Sequence, residues 1–269
     1  SRSDAEARGM RTLYLWIIGT LLIAPFVVVL GESVGASRTI TFPPEALSGV
    51  WYAELLTEPD WLAAIGRSLL IAVLAGIIAT ALALAINYVM WRTGSRFAKA
   101  TFALGLGPFL LPPIILALGA GLFWAEVGWY GRMEATIISH GVFFVTLPLV
   151  IIARGFAALS DEIVEAAQTM GATPAQVFRT VVFPLVAPYV ATGFALVAII
   201  SVNEYLIANM ISGFVVETLP IKIFNNVRYG YSPVVAAASM LFVFLTMTIL
   251  LILARITALV ALFGTSQDD

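Results

Sequence analysis

Long runs of apolar residues alternate along the chain with shorter polar segments. Six of these runs are roughly 20 residues long, the length that an α-helix needs to cross about 30 Å of hydrocarbon. They cover residues 13–30, 68–89, 101–123, 135–153, 187–208 and 234–254. The pattern therefore predicts an all-α, polytopic membrane protein with six transmembrane helices, in which residues 1–269 form a single transmembrane domain.

Composition narrows the class of function. Hydrophobic residues make up 61% of the chain and charged residues 11%, whereas a soluble domain carries about 25% charged residues. The net charge of −2 gives no electrostatic reason to bind nucleic acid. Because the chain has no cysteine, a metal site or a Ser/His catalytic arrangement would have to be built around His140, the single histidine. We predict no metal site and no catalytic residues.

The lysine and arginine residues that flank the spans predict the orientation, because cytoplasmic loops are enriched in these residues. One side of the membrane receives nine of them: Arg2, Arg8, Arg11, Arg92, Arg96, Lys99, Arg154, Arg179 and Arg255. The other side receives five: Arg38, Arg67, Arg132, Lys222 and Arg228. The larger group lies with the two termini, so both termini are predicted to be cytoplasmic.

The longest predicted cytoplasmic loop joins spans four and five, and its residues specify two short helices. Ser160 is the expected N-cap of the first helix, and Gly171 is its expected left-handed stop. Thr173 is the expected N-cap of the second helix, with Pro174 at the first helical position and Gln176 closing a capping box. The spacing alone is equally compatible with an amphipathic elbow on the membrane surface.

The same loop resembles the EAA motif of ABC importer permeases, which reads Glu-Ala-Ala, three residues, Gly, nine residues and then Ile-x-Leu-Pro. Five positions match in identity and spacing: Glu165, Ala166, Ala167, Gly171 and Pro184. Val181 and Phe183 stand where the family prefers Ile and Leu. The resemblance implies that residues 160–184, including Thr173 and Pro174, form coupling helices that contact a separate ATPase subunit.

A wider resemblance, from about Trp51 to Arg255, is to the spermidine/putrescine branch of these permeases. Seven residues after span five carry it: Gly213, Leu219, Pro220, Phe224, Gly230, Ser232 and Pro233. Where that branch often has two acidic residues together in span five, this chain has Asn203 and Glu204. The resemblance implies half of a translocation path for a small solute, with a cationic polyamine as the candidate.

The resemblance also implies the partners. These are a dimeric ABC ATPase that binds ATP and Mg²⁺, a second and homologous permease subunit, a solute-binding protein outside, and the lipid of a bacterial inner membrane. The chain itself is expected to hold no cofactor and to be no enzyme. Its two lysines are Lys99 and Lys222, and neither ends a G-x-x-x-x-G-K-[ST] phosphate loop.

Glu204 is the one acidic residue inside a predicted span. A charged side chain there costs roughly 2.5–3.5 kcal/mol on insertion scales, so it normally faces a partner or a watery path. We therefore consider Glu204, Asn203, Ser201 and His140 as residues of the substrate path. The alternatives for Glu204 are a structural carboxylate bonded to a neighbouring helix and a residue at the external mouth. The alternative for His140 is a packing role. A competing function, that of a secondary transporter or channel, would use Glu204 as its proton or cation site.

Span three contains three prolines, Pro108, Pro112 and Pro113. Proline lacks a backbone donor and disturbs a helix, and such breaks are tolerated beside cavities. Two interpretations stay open: a bend that lines a pore, and a kink that serves packing.

Overall fold

The computed structural model describes residues 2–39, 41–230 and 232–264. Within these residues all regular secondary structure is helical, and the β-type pairing consists of an isolated bridge between Gly35 and Leu47. The helices are α1 (Arg2–Ser33), α2 (Val50–Thr57), α3 (Pro59–Thr93), α4 (Arg96–Leu110), α5 (Pro113–Val127), α6 (Met133–Phe143), α7 (Thr146–Ala157), α8 (Asp161–Thr169), α9 (Pro174–Val177), α10 (Phe183–Asn203), α11 (Leu206–Ser212), α12 (Leu219–Tyr229) and α13 (Val234–Gly264). A π-helical turn, Phe178–Val182, joins α9 to α10.

Four stretches are long and apolar enough to cross a membrane as single helices. They are Met10–Ser33, Pro59–Thr93, Pro174–Asn203 and Val234–Ile252. The other two predicted spans are bent helix pairs, α4 with α5 at 109° and α6 with α7 at 44°. The predicted all-α polytopic fold is confirmed, and the count of six spans holds when each bent pair is taken as one broken span.

The prolines of the third span break it completely. Helix α4 ends at Leu110, Leu111 is extended with φ −96° and ψ 141°, and α5 begins at Pro113. Two consecutive prolines remove two backbone donors and fix φ, so the helical ladder cannot continue through them. The expected disturbance at the prolines is therefore found, and the predicted third span, residues 101–123, is a broken one. The choice between pore lining and packing stays a prediction.

The chain forms two compact units. The first contains residues up to Leu62 together with Ile223–Leu245. In this unit α2 is tied to the segment after α1, because the indole Nε1 of Trp51 donates a hydrogen bond of 2.6 Å to the carbonyl oxygen of Gly35. Trp51 is buried, so this bond satisfies its single donor away from water.

The second unit contains Ala63–Lys222 and the residues from Thr246 onward. Its core lies between α7 and α10, where Leu149 and Ile152 of α7 and Val186 of α10 have no exposed surface. The two helices approach closely at Gly193, where an added Cβ would lie 2.7 Å from the Cβ and 3.0 Å from the Cα of Pro148. Glycine is therefore required there for packing.

A buried amide ties α3 to the same core. The side-chain nitrogen of Asn87 donates hydrogen bonds of 2.9 Å to the carbonyl oxygen of Ala83 and 3.0 Å to that of Leu149. Asn87 has no exposed surface. Its donors are satisfied and link α3 to α7, whereas its buried Oδ1 has no hydrogen-bond partner among the described residues.

The close approach of α7 and α10 can be tested with a glycine pair. Gly193→Ala forces the backbone at Pro148 to shift, and overpacking of this kind typically costs 1–3 kcal/mol, so about that loss of stability is expected. Gly119→Ala in α5 is the control, because nothing lies within 4 Å of its added Cβ. Thermal unfolding in detergent should therefore show a lower midpoint for Gly193→Ala alone. Equal midpoints would contradict the packing described.

Candidate functional site

The loop between α7 and α10 is a helix pair with fixed ends. Helix α8 stops in a Schellman motif: the amide of Gly171 donates to the carbonyl oxygen of Gln168 at 2.9 Å, and that of Ala172 donates to Ala167 at 3.2 Å. Gly171 has φ +84°, so its predicted left-handed conformation is confirmed. The loop between α8 and α9 is therefore a specified turn.

The start of α9 follows the predicted capping box. The side-chain Oε1 of Gln176 accepts a bond of 2.7 Å from the amide of Thr173, and the hydroxyl oxygen of Thr173 accepts one of 3.4 Å from the amide of Gln176. Pro174 occupies the first helical turn. At the start of α8 the prediction is wrong in part, because Ser160 lies at the N-cap position but its side chain makes no capping hydrogen bond.

Helix α9 does not end before the fifth span. It continues through the π-helical turn into α10, so that Pro174–Asn203 forms one stretch of 30 residues. The turn lies directly before Pro184, and the amide of Phe183 donates to the carbonyl oxygen of Phe178, five residues earlier. Proline cannot donate and crowds the preceding turn, which accounts for the local widening. The expectation of a separate second short helix is thus corrected.

The EAA-like residues divide between two faces of α8. Glu165 and Ala166 are exposed, whereas Ala167 is buried against the core of α7 and α10. The small side chain of Ala167 therefore serves packing within the chain and is not available to a partner. The carboxylate of Glu165 forms no ion pair or hydrogen bond with the described residues.

A cavity of about 340 Å³ opens between this helix pair and the end of α3. Its walls include the rings of Tyr88, Trp91 and Phe178 and the carboxylates of Asp161 and Glu165. Tyr88 and Phe178 meet edge to face, with ring centroids 4.8 Å apart. The lining also includes Arg92, whose guanidinium donates a bond of 3.4 Å to the hydroxyl of Tyr88, so the cavity combines aromatic rings with charges of both signs.

Helix α10 ends at Asn203, and the side chain of Glu204 caps the start of α11. Glu204 has extended backbone angles, φ −79° and ψ 124°. Its Oε1 accepts a hydrogen bond of 2.7 Å from the amide of Ile207, and its Oε2 accepts one of 3.0 Å from the amide of Ala208. A carboxylate at this position satisfies the free amides of a helix start and is favoured by the helix dipole.

His140 of α6 is the neighbour of this carboxylate. Its Nδ1 shares a hydrogen bond of 2.8 Å with the hydroxyl of Ser201, and its Nε2 lies 3.2 Å from Oε2 of Glu204. The second contact is short but lacks hydrogen-bond geometry, so it is a close electrostatic contact only. The structure thus brings three predicted path residues together, and the imidazole of His140 is 1% exposed.

Asn203, the fourth predicted path residue, is not part of this cluster. Its side chain is exposed and donates a hydrogen bond of 2.7 Å back to the carbonyl oxygen of Ile199. For Glu204 the geometry favours the structural alternative, because both carboxylate oxygens accept backbone amides. A direct role of any of these residues in the path stays a prediction.

Sequence reasoning missed two further polar contacts of α6. The hydroxyls of Thr136 and Ser212 lie 2.7 Å apart, and the indole Nε1 of Trp124 donates a bond of 2.8 Å to the hydroxyl of Ser139. Thr136, Ser139 and His140 have the i, i+3, i+4 spacing of one helix face. Polar residues at this spacing in an otherwise apolar helix are the sequence signal that could have predicted these contacts. Within the described part of the chain, no three His, Cys, Asp or Glu side chains are placed to hold a metal.

Comparisons with known proteins agree on one family. A family model described as "Binding-protein-dependent transport system inner membrane component" matches residues 10–261. The putrescine transport system permease protein PotI of Escherichia coli K12 is 31% identical over 238 residues, 86% of this chain and 84% of that protein. The spermidine/putrescine transport system permease protein PotC of the same strain is 25% identical over 251 residues, 93% and 91% of the two chains.

A solved structure supports the fold. A chain of a bacterial ABC transporter involved in the import of the acidic polysaccharide alginate superposes with a TM-score of 0.70. It is 16% identical in sequence, and the match covers 96% of this chain and 97% of that one. At 16% identity, the similarity shows that the two chains share a fold.

The structural role of Glu204 can be tested by removing its charge. Glu204→Gln leaves an amide nitrogen facing a backbone N–H, so a loss of about 1–3 kcal/mol of stability is expected. Asn203→Ala is the control, since exposed substitutions usually stay within about 0.5 kcal/mol. Thermal unfolding in detergent measures both. If Glu204→Gln unfolded at the wild-type midpoint, Glu204 would not be holding the start of α11.

Proposed function

Because the chain belongs to the family of binding-protein-dependent transport system inner membrane components, we propose that it forms half of a path for a small cationic solute of the polyamine class. The chain is the permease subunit of an ABC importer, and ATP is hydrolysed by a separate subunit. A second permease and a solute-binding protein complete such a system. The observation that supports the substrate class is the 31% identity to a putrescine permease over 86% of the chain.

The competing function, a secondary transporter or channel built on Glu204, is disfavoured by the family match and the permease relatives. A proton or cation at Glu204 would also have to compete with the amides of Ile207 and Ala208, which its two oxygens accept. Family membership also supplies an energy source outside the chain. ATP and Mg²⁺ are proposed to bind on the partner ATPase.

The segment proposed to contact that ATPase is the helix pair α8 and α9. Its exposed residues include Glu165, Ala166, Thr173 and Pro174, whereas Ala167 holds the pair against the core. A contact surface that moves as a body needs defined geometry, which the Schellman turn at Gly171 and the capping box provide. The unpaired carboxylate of Glu165 is available to a cationic group of the partner.

A single continuous helical stretch connects this surface to the opposite side of the membrane. The stretch Pro174–Asn203 is continuous and therefore about 45 Å long at 1.5 Å per residue. One end passes through Pro184 beside the ATPase surface, and the other ends beside Glu204 and His140. A displacement of the cytoplasmic end is thus carried as a rigid body to the junction of α10 with α11.

Transport by the assembled system tests this function. Vesicles containing the chain with its ATPase, second permease and binding protein should take up labelled putrescine when ATP is supplied and should not take up labelled sulfate. Gly171→Val should abolish uptake while ATP hydrolysis continues, because a β-branched residue at φ +84° is strained and distorts the turn.

Gly119→Ala is the control for assembly and insertion, because nothing lies within 4 Å of its added Cβ. Wild-type uptake by Gly171→Val would remove the coupling role of the turn. Sulfate uptake without putrescine uptake would reject the polyamine class and leave the permease function intact.

Both termini are proposed to be cytoplasmic, on the basis of nine against five basic residues in the flanks. Because the chain has no cysteine, single introduced cysteines give no background labelling. Tyr130→Cys should react with a membrane-impermeant maleimide in intact cells, and Thr93→Cys only after the membrane is opened. Both positions are exposed. The reverse pattern would invert the orientation.

A further inference from the structure

A second cavity shares Tyr88 and Phe178 with the cavity that contains Glu165. It has a volume of about 550 Å³, which is within the size range of ligand sites. Seven residues line it: Ala81, Leu84, Ala85, Tyr88, Ala175, Phe178 and Arg179. The first four belong to α3 and the others to the α9 and π-turn segment. We refer to these seven residues as the α3 groove.

The α3 groove is apolar along its length and positively charged at one place. Ala81, Ala85 and Tyr88 have the i, i+4, i+7 spacing of one face of α3, and the two alanines leave that face open. Arg179 is exposed and makes no hydrogen bond or ion pair with the residues the structure describes. The lining contains no acidic residue. A ligand with a long apolar part and an anionic end complements this surface.

The position of the groove along the second span indicates that membrane lipid surrounds it. Ala81 to Tyr88 covers about 10 Å of α3 at 1.5 Å per residue. This stretch ends the second predicted span, next to the basic residues Arg92 and Arg96. Basic pockets between transmembrane helices on the cytoplasmic side bind the headgroups of anionic lipids. The cytoplasmic placement rests on the orientation proposed above.

We propose that the α3 groove is a binding site for one anionic phospholipid. An acyl chain lies along Ala81 and Ala85, and the phosphate is held by the guanidinium of Arg179. Arginine suits this role because its planar fork donates two parallel hydrogen bonds to phosphate oxygens.

The site joins α3 to the π-turn segment, which also meet through the rings of Tyr88 and Phe178. Its α3 wall is fixed to α7 by Asn87, and its other wall is the segment that leads from the coupling helices into α10. A lipid in the groove therefore braces that segment against α3. Lipid composition would then affect how stiffly movement passes from α9 to α10.

The test is lipid retention by the assembled transporter, measured by native mass spectrometry. The complex is exchanged into mixed micelles that contain dioleoyl phosphatidylglycerol or dioleoyl phosphatidylcholine, and the lipids that remain bound are counted. The wild-type complex should retain phosphatidylglycerol preferentially. Arg179→Gln should lower that preference about fivefold, the effect of losing one basic contact near the surface.

Two variants sharpen the result. Arg154→Gln removes an exposed basic residue in the last turn of α7, outside the groove, and should retain the wild-type preference. Ala85→Phe fills the acyl path and should lower retention of both lipids. Equal phosphatidylglycerol retention by wild type and Arg179→Gln would overturn the proposal, as would unchanged retention by Ala85→Phe.

A protein occupant would give a different result. If Arg179→Gln kept its lipid but lost the ATPase from the complex, Arg179 would be a subunit contact and the lipid site would be rejected. Retention is measured without transport, so a failure to carry putrescine leaves this result unaffected. An inverted orientation would move the lipid to the other leaflet and would be recognised by the cysteine labelling.

Discussion

Every break in a helix within the membrane frees backbone groups, and the membrane offers no water to satisfy them. The structure of this chain depends on how that constraint is met at three breaks. Between α10 and α11, the carboxylate of Glu204 accepts the amides of Ile207 and Ala208. Between α6 and α7, the amides of Phe144 and Val145 donate to the carbonyl oxygens of His140 at 3.0 Å and Val142 at 3.4 Å, so both stay paired at the bend. Between α4 and α5, the prolines have no donor to satisfy.

The same constraint explains why α6 is polar on one face. Its Thr136, Ser139 and His140 contact α11, α5 and α10 respectively, through Ser212, Trp124 and Ser201. Helices in lipid gain little from burying apolar surface against each other, so hydrogen bonds of this kind contribute to which helices pair. The short helix α11 is held by these contacts and by Glu204, and it lies at the far end of the rigid stretch that begins at Pro174.

The sequence predicted the features that depend on local chemistry. The spans follow from apolar length, and the capping box at Thr173 and the left-handed Gly171 follow from residue type at fixed spacing. It could not predict features that depend on partners distant in sequence. Ala167 is used inside the chain because it packs against the core of α7 and α10. Glu204 binds backbone amides, which nearly every residue carries, so no sequence pattern marks them as its partners. The prolines predict a break between α4 and α5 but not its angle of 109°.

The structure also constrains where a cationic solute can find its counter-charge. Glu204 is the one acid inside the predicted spans, and both of its oxygens are engaged by amides. The cost of placing a cation in a low-dielectric path falls only if a fixed negative charge or several oriented dipoles face it. Glu204 is 11% exposed, and its oxygens face the start of α11 and Nε2 of His140, which is buried without a hydrogen bond, so its charge is directed at groups of this chain. For a solute of the proposed class, we therefore propose that further counter-charge comes from the second permease or the binding protein, beside the apolar residues and the exposed amide of Asn203 in this chain.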